Sequence, residues 1–226
     1  MAKKKKKRKL KIKNIIIILL VFILLIGLFL YAINMPIKNI YVNNNNLVSD
    51  DEILMLANLD NYPSFILSKG KEIEKKIIVN DYIDSVDVKK KFGNIIEVDI
   101  VECKVLAISL ENKVILSNGK IVNNLYNYYD VPKFINEIPL DVIKNFVSKF
   151  IRVDSNILRE ISEIEYSPVE VDLERFILYM NDGNVVHVTL TKIDRLNKYN
   201  DIKDELDGRN GTIYLDSGNY VELKVA

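Results

Sequence analysis

The sequence predicts an α+β protein with three parts: one N-terminal transmembrane helix, a domain in the order strand, helix, helix, strand, strand, and a mixed β-rich domain with an antiparallel sheet and flanking helices. Three observations predict this class. A long apolar run follows a basic segment. Beyond it, apolar residues recur first at helical spacing and then at every second position. Tight-turn pairs such as Asn118-Gly119 separate runs of β-forming residues. The predicted parts are a basic tail at 1–14, the transmembrane helix at 15–34, the first domain at 35–108 and the β domain at 109–226.

The apolar run Ile15–Ile33 is nineteen residues long and contains neither charge nor proline. As a helix it would extend about 28 Å, which matches the thickness of a bilayer's hydrocarbon core. The basic cluster from Lys3 to Lys13 is typical of the cytoplasmic side, so the chain beyond Asn34 is expected to be exported. The run is too long for a cleaved signal peptide. We therefore expect an uncleaved anchor in contact with lipid through Ile15–Ile33 and through the basic N-terminus.

The charges are strongly segregated along the chain. Nine of the 32 Lys and Arg precede Asn14 and all 31 Asp and Glu follow it, so the rest of the chain carries 23 basic and 31 acidic side chains, a net charge of −8. This balance argues against a nucleic-acid partner for the exported part. Cys103 is the only cysteine, which excludes an intramolecular disulfide and a zinc cluster. We expect Cys103 to be a small residue on a strand.

The first domain shows the order strand, helix, helix, strand, strand. Ile37–Val42 predicts a strand, and Ser49 with Glu52 forms a capping box at the start of a short helix. A second helix is predicted over Gly70–Tyr82, where isoleucines recur at helical spacing. Two alternating strands follow, Val86–Lys89 and Ile96–Val101, joined by a tight turn at Gly93-Asn94.

This order, directly after one membrane span, resembles a POTRA domain, and the chain as a whole resembles the FtsQ/DivIB family of bacterial cell-division proteins. The segments Pro36–Val42, Val86–Lys89 and Gly93–Glu102 carry the resemblance. Cys103 stands where the family often has arginine, and Val105 stands where proline is common. The resemblance implies a bitopic membrane protein of the division septum, with a cytoplasmic N-terminus and extracytoplasmic domains.

The β domain contains hairpin and helix patterns in succession. Its predicted strands are Lys113–Val122 with an Asn118-Gly119 turn, Ile161–Tyr166, Phe176–Met180, Val185–Leu190, Gly211–Asp216 and Tyr220–Val225. Its predicted helices are Leu140–Phe150, Ser155–Ile161 and Arg195–Leu206. Asp182-Gly183 is the turn between two of these strands. The pattern does not show whether Leu125–Pro139 is ordered.

Catalytic motifs are sparse. His187 is the only histidine, so no His-based metal site can form within one chain. A Ser-His-Asp or Cys-His arrangement is hard to build around it from Cys103 or any serine, and we expect His187 to be an ordinary strand residue. No cofactor is expected. Two alternatives remain open. A membrane-anchored envelope enzyme would need paired carboxylates with separated pKa values, and a POTRA-type chaperone would continue into a β-barrel.

We therefore expect a non-enzymatic scaffold. The last strand has no later strand to cover it, and an open sheet edge offers unpaired backbone groups to a partner. In the alternative interpretation, this strand simply completes the core. The resemblance implies FtsB/DivIC-like and FtsL-like partners, bound at the end of the β domain. The residues expected to contact a partner are Tyr214, Leu215, Asp216, Ser217, Gly218, Asn219, Tyr220 and Val221.

Overall fold

The computed structural model describes residues 12–224. The chain divides into two compact units between Val101 and Glu102. The predicted boundary, after Ile108, lies seven residues further along the chain than this division. Val105–Ile108 is a strand that pairs with Lys113–Leu116 and with Lys133–Phe134, so its backbone hydrogen bonds place it in the second unit.

The first unit begins with an apolar helix. Its elements are α1 (Ile12–Ile33), β1 (Asn39–Asn43), α2 (Asp50–Ala57), α3 (Gly70–Ile77), β2 (Ile83–Lys91) and β3 (Ile95–Glu102). Within the described part of the chain, α1 is the one helix long and apolar enough to cross a membrane. It begins at Ile12, three residues before the predicted start. The predicted basic tail lies outside the described residues as far as residue 11.

Strands β1, β3 and β2 form a three-stranded sheet in that order among residues 12–224, with β1 parallel to β3. Alternate β3 residues Ile96, Val98 and Ile100 are buried, as the alternation predicted.

Side chains fix the ends of both helices in this unit that follow α1. The Ser49 Oγ accepts a hydrogen bond from the Glu52 amide at 3.3 Å and caps α2. Helix α3 ends at Ile77, five residues before its predicted end at Tyr82. The Asn80 side chain accepts a hydrogen bond from the Tyr82 amide at 2.9 Å, and this turn directs the chain into β2.

The second unit is built on one large sheet. Its strands are β4 (Val105–Ile108), β5 (Lys113–Leu116), β6 (Ile121–Asn123), β7 (Lys133–Phe134), β8 (Ile161–Tyr166), β9 (Arg175–Met180), β10 (Val185–Thr189), β11 (Gly211–Tyr214) and β12 (Tyr220–Leu223). Its helices are α4 (Leu140–Phe150), α5 (Ser155–Glu160), a 3₁₀ helix (Leu190–Lys198) and α6 (Tyr199–Glu205). Over the described residues the strand order is β12-β11-β10-β9-β8-β7-β4-β5-β6. The helices cover a core in which Phe146 stacks on Phe150 at 4.1 Å between ring centroids.

Three local predictions for this unit need correction. The helix predicted over Arg195–Leu206 begins earlier as a 3₁₀ helix, because Leu190, Ile193 and Leu196 are buried at the three-residue spacing of that helix. Cys103 is buried in the two-residue connection between β3 and β4 rather than on a strand. The final strand ends at Leu223, and the last predicted residue, Val225, lies outside the described residues.

A buried polar network joins the helices to the sheet. The Asn184 side chain is 3% exposed. Its Nδ2 donates a hydrogen bond to the Tyr199 hydroxyl at 3.0 Å, and its Oδ1 accepts one from the Gly211 amide at 2.8 Å. The Tyr199 hydroxyl in turn contacts both oxygens of Asp182 at 2.8 and 2.7 Å. A buried amide with both ends bonded fixes its neighbours in place. The network therefore sets the position at which β11 begins.

Candidate partner-binding edge

Strand β12 lies at one edge of the nine-stranded sheet. It pairs antiparallel with β11, with Tyr214 opposite Tyr220 and Gly211 opposite Leu223. The Lys224 amide donates to the Asn210 carbonyl at 2.9 Å. Because hydrogen-bonded pairs alternate along an antiparallel ladder, Tyr220 and Glu222 direct their backbone groups toward β11, whereas Val221 and Leu223 direct theirs outward. No described strand pairs with that outer side.

The eight predicted contact residues lie on β11, on β12 and on the turn between them, but they differ in exposure. Ser217, Gly218, Asn219 and Tyr220 are exposed, whereas Tyr214, Asp216 and Val221 are half-buried. Leu215 is 3% exposed and belongs to the core. The predicted contact residues therefore form one continuous segment, but only some of their side chains are accessible to a partner.

Asp216 holds the turn in place rather than facing solvent. Its carboxylate accepts the Arg175 Nε–H at 2.8 Å and the Ser217 amide at 2.7 Å. The Arg175 and Asp216 side chains are 15% and 12% exposed. Burial alone would raise the pKa of Asp216, but the bonds from Arg175 and Ser217 outweigh it and lower that pKa below its ordinary value.

His187 connects this ion pair to the aromatic rings of the edge. Its Nδ1 contacts the Arg175 guanidinium, and its ring lies 4.7 Å from that of Tyr214, which stacks on Tyr220 at 4.6 Å. Burial and the positive charge of Arg175 lower the pKa of His187. Sequence reasoning missed Arg175, because its partners lie 12 and 41 residues away along the chain.

The lowered pKa of His187 predicts loss of stability on acidification. The unfolded chain takes up a proton near the ordinary value of 6.5, whereas the folded chain resists it, so stability falls as pH drops below that value. We expect the second unit to unfold at a lower temperature at about pH 5.5 than at about pH 7.5, a range that spans the ordinary histidine pKa. Thermal unfolding of the full chain in detergent, followed by near-ultraviolet circular dichroism, measures this.

The control for this pH prediction is His187→Asn, which replaces the only histidine of the chain and keeps an acceptor for Arg175. Most carboxylates stay ionised across this pH range. An equal loss of stability in the variant would assign the pH dependence to other groups and contradict the prediction.

A groove runs alongside β12. Arg195 and Lys198 of the 3₁₀ helix, Ile202 of α6, and Ile213 and Val221 of the sheet line a cavity of about 480 Å³. The Arg195 guanidinium bonds the Asn219 side-chain oxygen at 2.6 Å and the Leu215 carbonyl at 3.3 Å. An apolar floor with charged rims, continuous with an open strand, suits a protein segment.

Within residues 12–224, no group of three or more His, Cys, Asp and Glu side chains is placed to hold a metal ion. The features that remain at the end of the second unit are a backbone edge, a turn and a groove. These features favour the binding of a polypeptide.

The family model of the FtsQ-type POTRA domain matches residues 35–102. The cell division protein DivIB of Bacillus subtilis strain 168 is 30% identical over 205 residues, which cover 88% of this chain and 78% of the relative. The chain belongs to the DivIB family. The predicted resemblance is thereby confirmed, together with the POTRA domain. The DivIB of Bacillus cytotoxicus is 28% identical over 87% of this chain and 81% of its own length.

Among solved structures, the major extracytoplasmic domain of DivIB from Geobacillus stearothermophilus is 26% identical, with a TM-score of 0.40, over 47% of this chain and 96% of that one. The predicted fold class is confirmed for this DivIB-family chain: an apolar N-terminal helix, a POTRA domain, and a β-rich domain with flanking helices.

Proposed function

We propose that this chain is a non-enzymatic scaffold of the division machinery. It is a single-pass membrane protein with a cytoplasmic N-terminus that links septal division proteins outside the membrane. Its relatives are named cell division protein DivIB, and this membership favours a scaffold over an envelope enzyme or an outer-membrane chaperone. Helix α1 supports the anchor, and the basic residues before it support the orientation.

The observation that carries the proposal is the open edge of β12 beside the groove. A partner strand laid along β12 would receive backbone hydrogen bonds from Val221 and Leu223, whose N–H and C=O groups face outward. A segment preceding or following that strand would occupy the groove lined by Arg195 and Ile202. Main-chain pairing would supply affinity and the groove would supply specificity. The partners fitting this role are division proteins of the FtsB/DivIC and FtsL types.

The geometry of the edge permits a test that spares the fold. Leu223→Pro removes one outward N–H and places the ring where a partner strand would approach, without removing a bond to β11. Loss of one hydrogen bond and of close approach is expected to weaken binding about tenfold or more, since each net bond contributes about 1 kcal/mol. Binding of a purified DivIC-like partner to the full chain in nanodiscs, measured by biolayer interferometry, gives the affinity.

Two controls isolate the edge. Leu223→Thr alters the side chain but keeps the N–H, and it should retain affinity. Ile121→Pro places the same ring on β6, the opposite edge of the sheet. There the Leu116 N–H of β5 donates a hydrogen bond to the Lys120 carbonyl at 2.9 Å. Because hydrogen-bonded pairs alternate along an antiparallel ladder, the N–H of the next residue, Ile121, also faces outward. Unchanged binding by Leu223→Pro, or loss through Ile121→Pro instead, would reject β12 as the site.

A further inference from the structure

One end of the POTRA unit exposes apolar side chains that its core does not use. Phe92, in the turn between β2 and β3, is 102% exposed. Ile66 and Leu67, in the loop before α3, are 48% and 60% exposed. A fully exposed phenylalanine at a hairpin tip contributes nothing to the core, and exposed apolar clusters of this kind mark interaction sites.

The two segments that carry these residues are bonded to the chain just beyond α1. The Asn94 side chain donates to the Pro36 carbonyl at 3.0 Å, and the Lys38 amide donates to the Asn94 carbonyl at 2.9 Å. On the other side, the Phe65 amide donates to the Met35 carbonyl at 2.8 Å. The hairpin tip and the Ile66-Leu67 loop are therefore both tied to the three residues that follow the helix.

The end of α1 sets the depth of this region relative to a bilayer. Tyr31 lies in the last turn of the helix, where aromatic rings mark the membrane–water interface. The headgroup layer adds roughly 5–8 Å on each side of the hydrocarbon core. Pro36 is three residues beyond Ile33, a distance of at most about 10 Å of extended chain. Phe92 is two residues from Asn94, whose side chain bonds the Pro36 carbonyl, so the hairpin tip lies at the end of the unit nearest α1.

The same region carries positive charge. The Lys90 ammonium bonds the carbonyls of Phe65 and Ser68 and lies 4.2 Å from the centroid of the Phe65 ring, so its bonds go to neutral oxygens rather than to a carboxylate. Lys91 pairs with Glu97 at 2.6 Å, and Lys38, two residues beyond Pro36, is exposed. Basic side chains beside exposed apolar side chains match the surface of an anionic bilayer.

We propose that this patch, formed by Lys38, Ile66, Leu67, Lys90 and Phe92, docks on the extracytoplasmic surface of a bilayer that contains anionic lipid. The contact adds a second attachment beside α1 and fixes the tilt of the POTRA unit relative to the membrane. This inference rests on the membrane anchoring proposed above, and it is independent of partner binding at β12.

The chain contains no tryptophan, so a single introduced tryptophan reports its own surroundings. Phe92→Trp in the full chain, reconstituted into nanodiscs with phosphatidylglycerol, should emit at shorter wavelength than tryptophan in water. Lipids brominated near the headgroup should quench about half of its intensity, because interfacial side chains lie about 5–10 Å into the headgroup boundary. In phosphatidylcholine alone, the quenching should be weaker.

Two matched variants keep the outcomes distinct. Val79→Trp places the ring on a side chain 72% exposed, four residues before β2 begins. Strand β2 itself extends about 26 Å at ~3.3 Å per residue toward the tip, and this ring should remain unquenched. Phe22→Trp, in the middle of α1, should be quenched by lipids brominated deep in the acyl chain. Failure at Phe22 would overturn the membrane anchor itself.

If Phe22→Trp is quenched and Phe92→Trp behaves like Val79→Trp, the docking proposal is overturned while the anchor and the scaffold function stand. A short-wavelength emission without quenching would also overturn it, because protein rather than lipid would then cover residue 92. As an independent check, Phe92→Ser should bind the DivIC-like partner with unchanged affinity.

Discussion

Replacement of Gly211 by alanine is expected to destabilise the second unit and to loosen β12. A Cβ atom at this position would lie 2.6 Å from the Glu222 carbonyl oxygen and 3.0 Å from a methyl group of Val221. The nearest atom belongs to the backbone of the paired strand, so it cannot rotate away. We expect a cost of about 1–3 kcal/mol, typical of overpacking in a tight site.

Hydrogen exchange, read by mass spectrometry on the full chain, measures this effect where it occurs. Peptides covering β11 and β12 should exchange faster, whereas those covering β1 to β3 should not change. Because the partner is proposed to bind β12, affinity for a DivIC-like partner should fall as well. The backbone at Gly211 is not in the left-handed region, so conformational strain does not contribute to the result.

Gly218→Ala is the control for this substitution. Its Cβ would meet only the ring edge of Tyr220 at 3.0 Å, and an exposed ring at the end of a flexible side chain can swing aside. Exchange in β11 should remain unchanged in this variant. Equal exchange rates in Gly211→Ala and the unaltered chain would show that β12 shifts without cost, and would contradict the prediction.

Removal of the Arg175 guanidinium is expected to destabilise the second unit strongly. Arg175→Met would leave the Asp216 carboxylate without its cation in a site that is 12% exposed. It would also break the bonds from Arg175 to the Ser167 carbonyl and hydroxyl at 3.2 and 3.1 Å. Breaking a buried pair on one side costs about 3–5 kcal/mol, and we expect about 3 kcal/mol here because the site is partly solvated.

Arg152→Met provides the same chemical change in an exposed pair. Arg152 contacts Asp194 at 3.0 Å, with side chains 47% and 57% exposed, and such pairs contribute about 0–1 kcal/mol. Thermal unfolding of the full chain in detergent should separate the two variants clearly. Asp216→Asn in the Arg175→Met background should recover part of the loss, because it removes the stranded charge and keeps an acceptor for Ser217. Equal unfolding temperatures for Arg175→Met and Arg152→Met would refute the argument.

Much of the fold was predictable because it depends on local patterns. The alternation around Ile96 and Val98 identified β3, and the Ser49 cap marked the start of α2. Errors arose where a distant contact overrides local preference. Tyr82 is buried after a turn fixed by the Asn80 side chain, so α3 stops early. Val105–Ile108 joins the second sheet because β5 and β7 complete its hydrogen bonds.

The candidate site divides in the same way. The hairpin that carries it was predictable, because two runs of β-forming residues flank the turn residues Ser217–Asn219. Which side chains face outward was not predictable. Leu215 turns into the core and Asp216 turns toward Arg175. The spacing of residues along one segment contains no information about a cation 41 residues away.

The sequence by itself determined the apolar helix, the basic flank, the element order and the family, because each depends on residue type and on spacing within one segment. The tertiary structure alone decided the unit boundary, the strand order that leaves β12 at an edge, and the burial of the Arg175–Asp216 pair. It also bonded the tip of the β2–β3 hairpin, through the Asn94 side chain, to the Pro36 carbonyl just beyond α1. These features depend on contacts between residues far apart in sequence, and such contacts form only when the backbone hydrogen bonds of the sheets and the packing of the core are satisfied together.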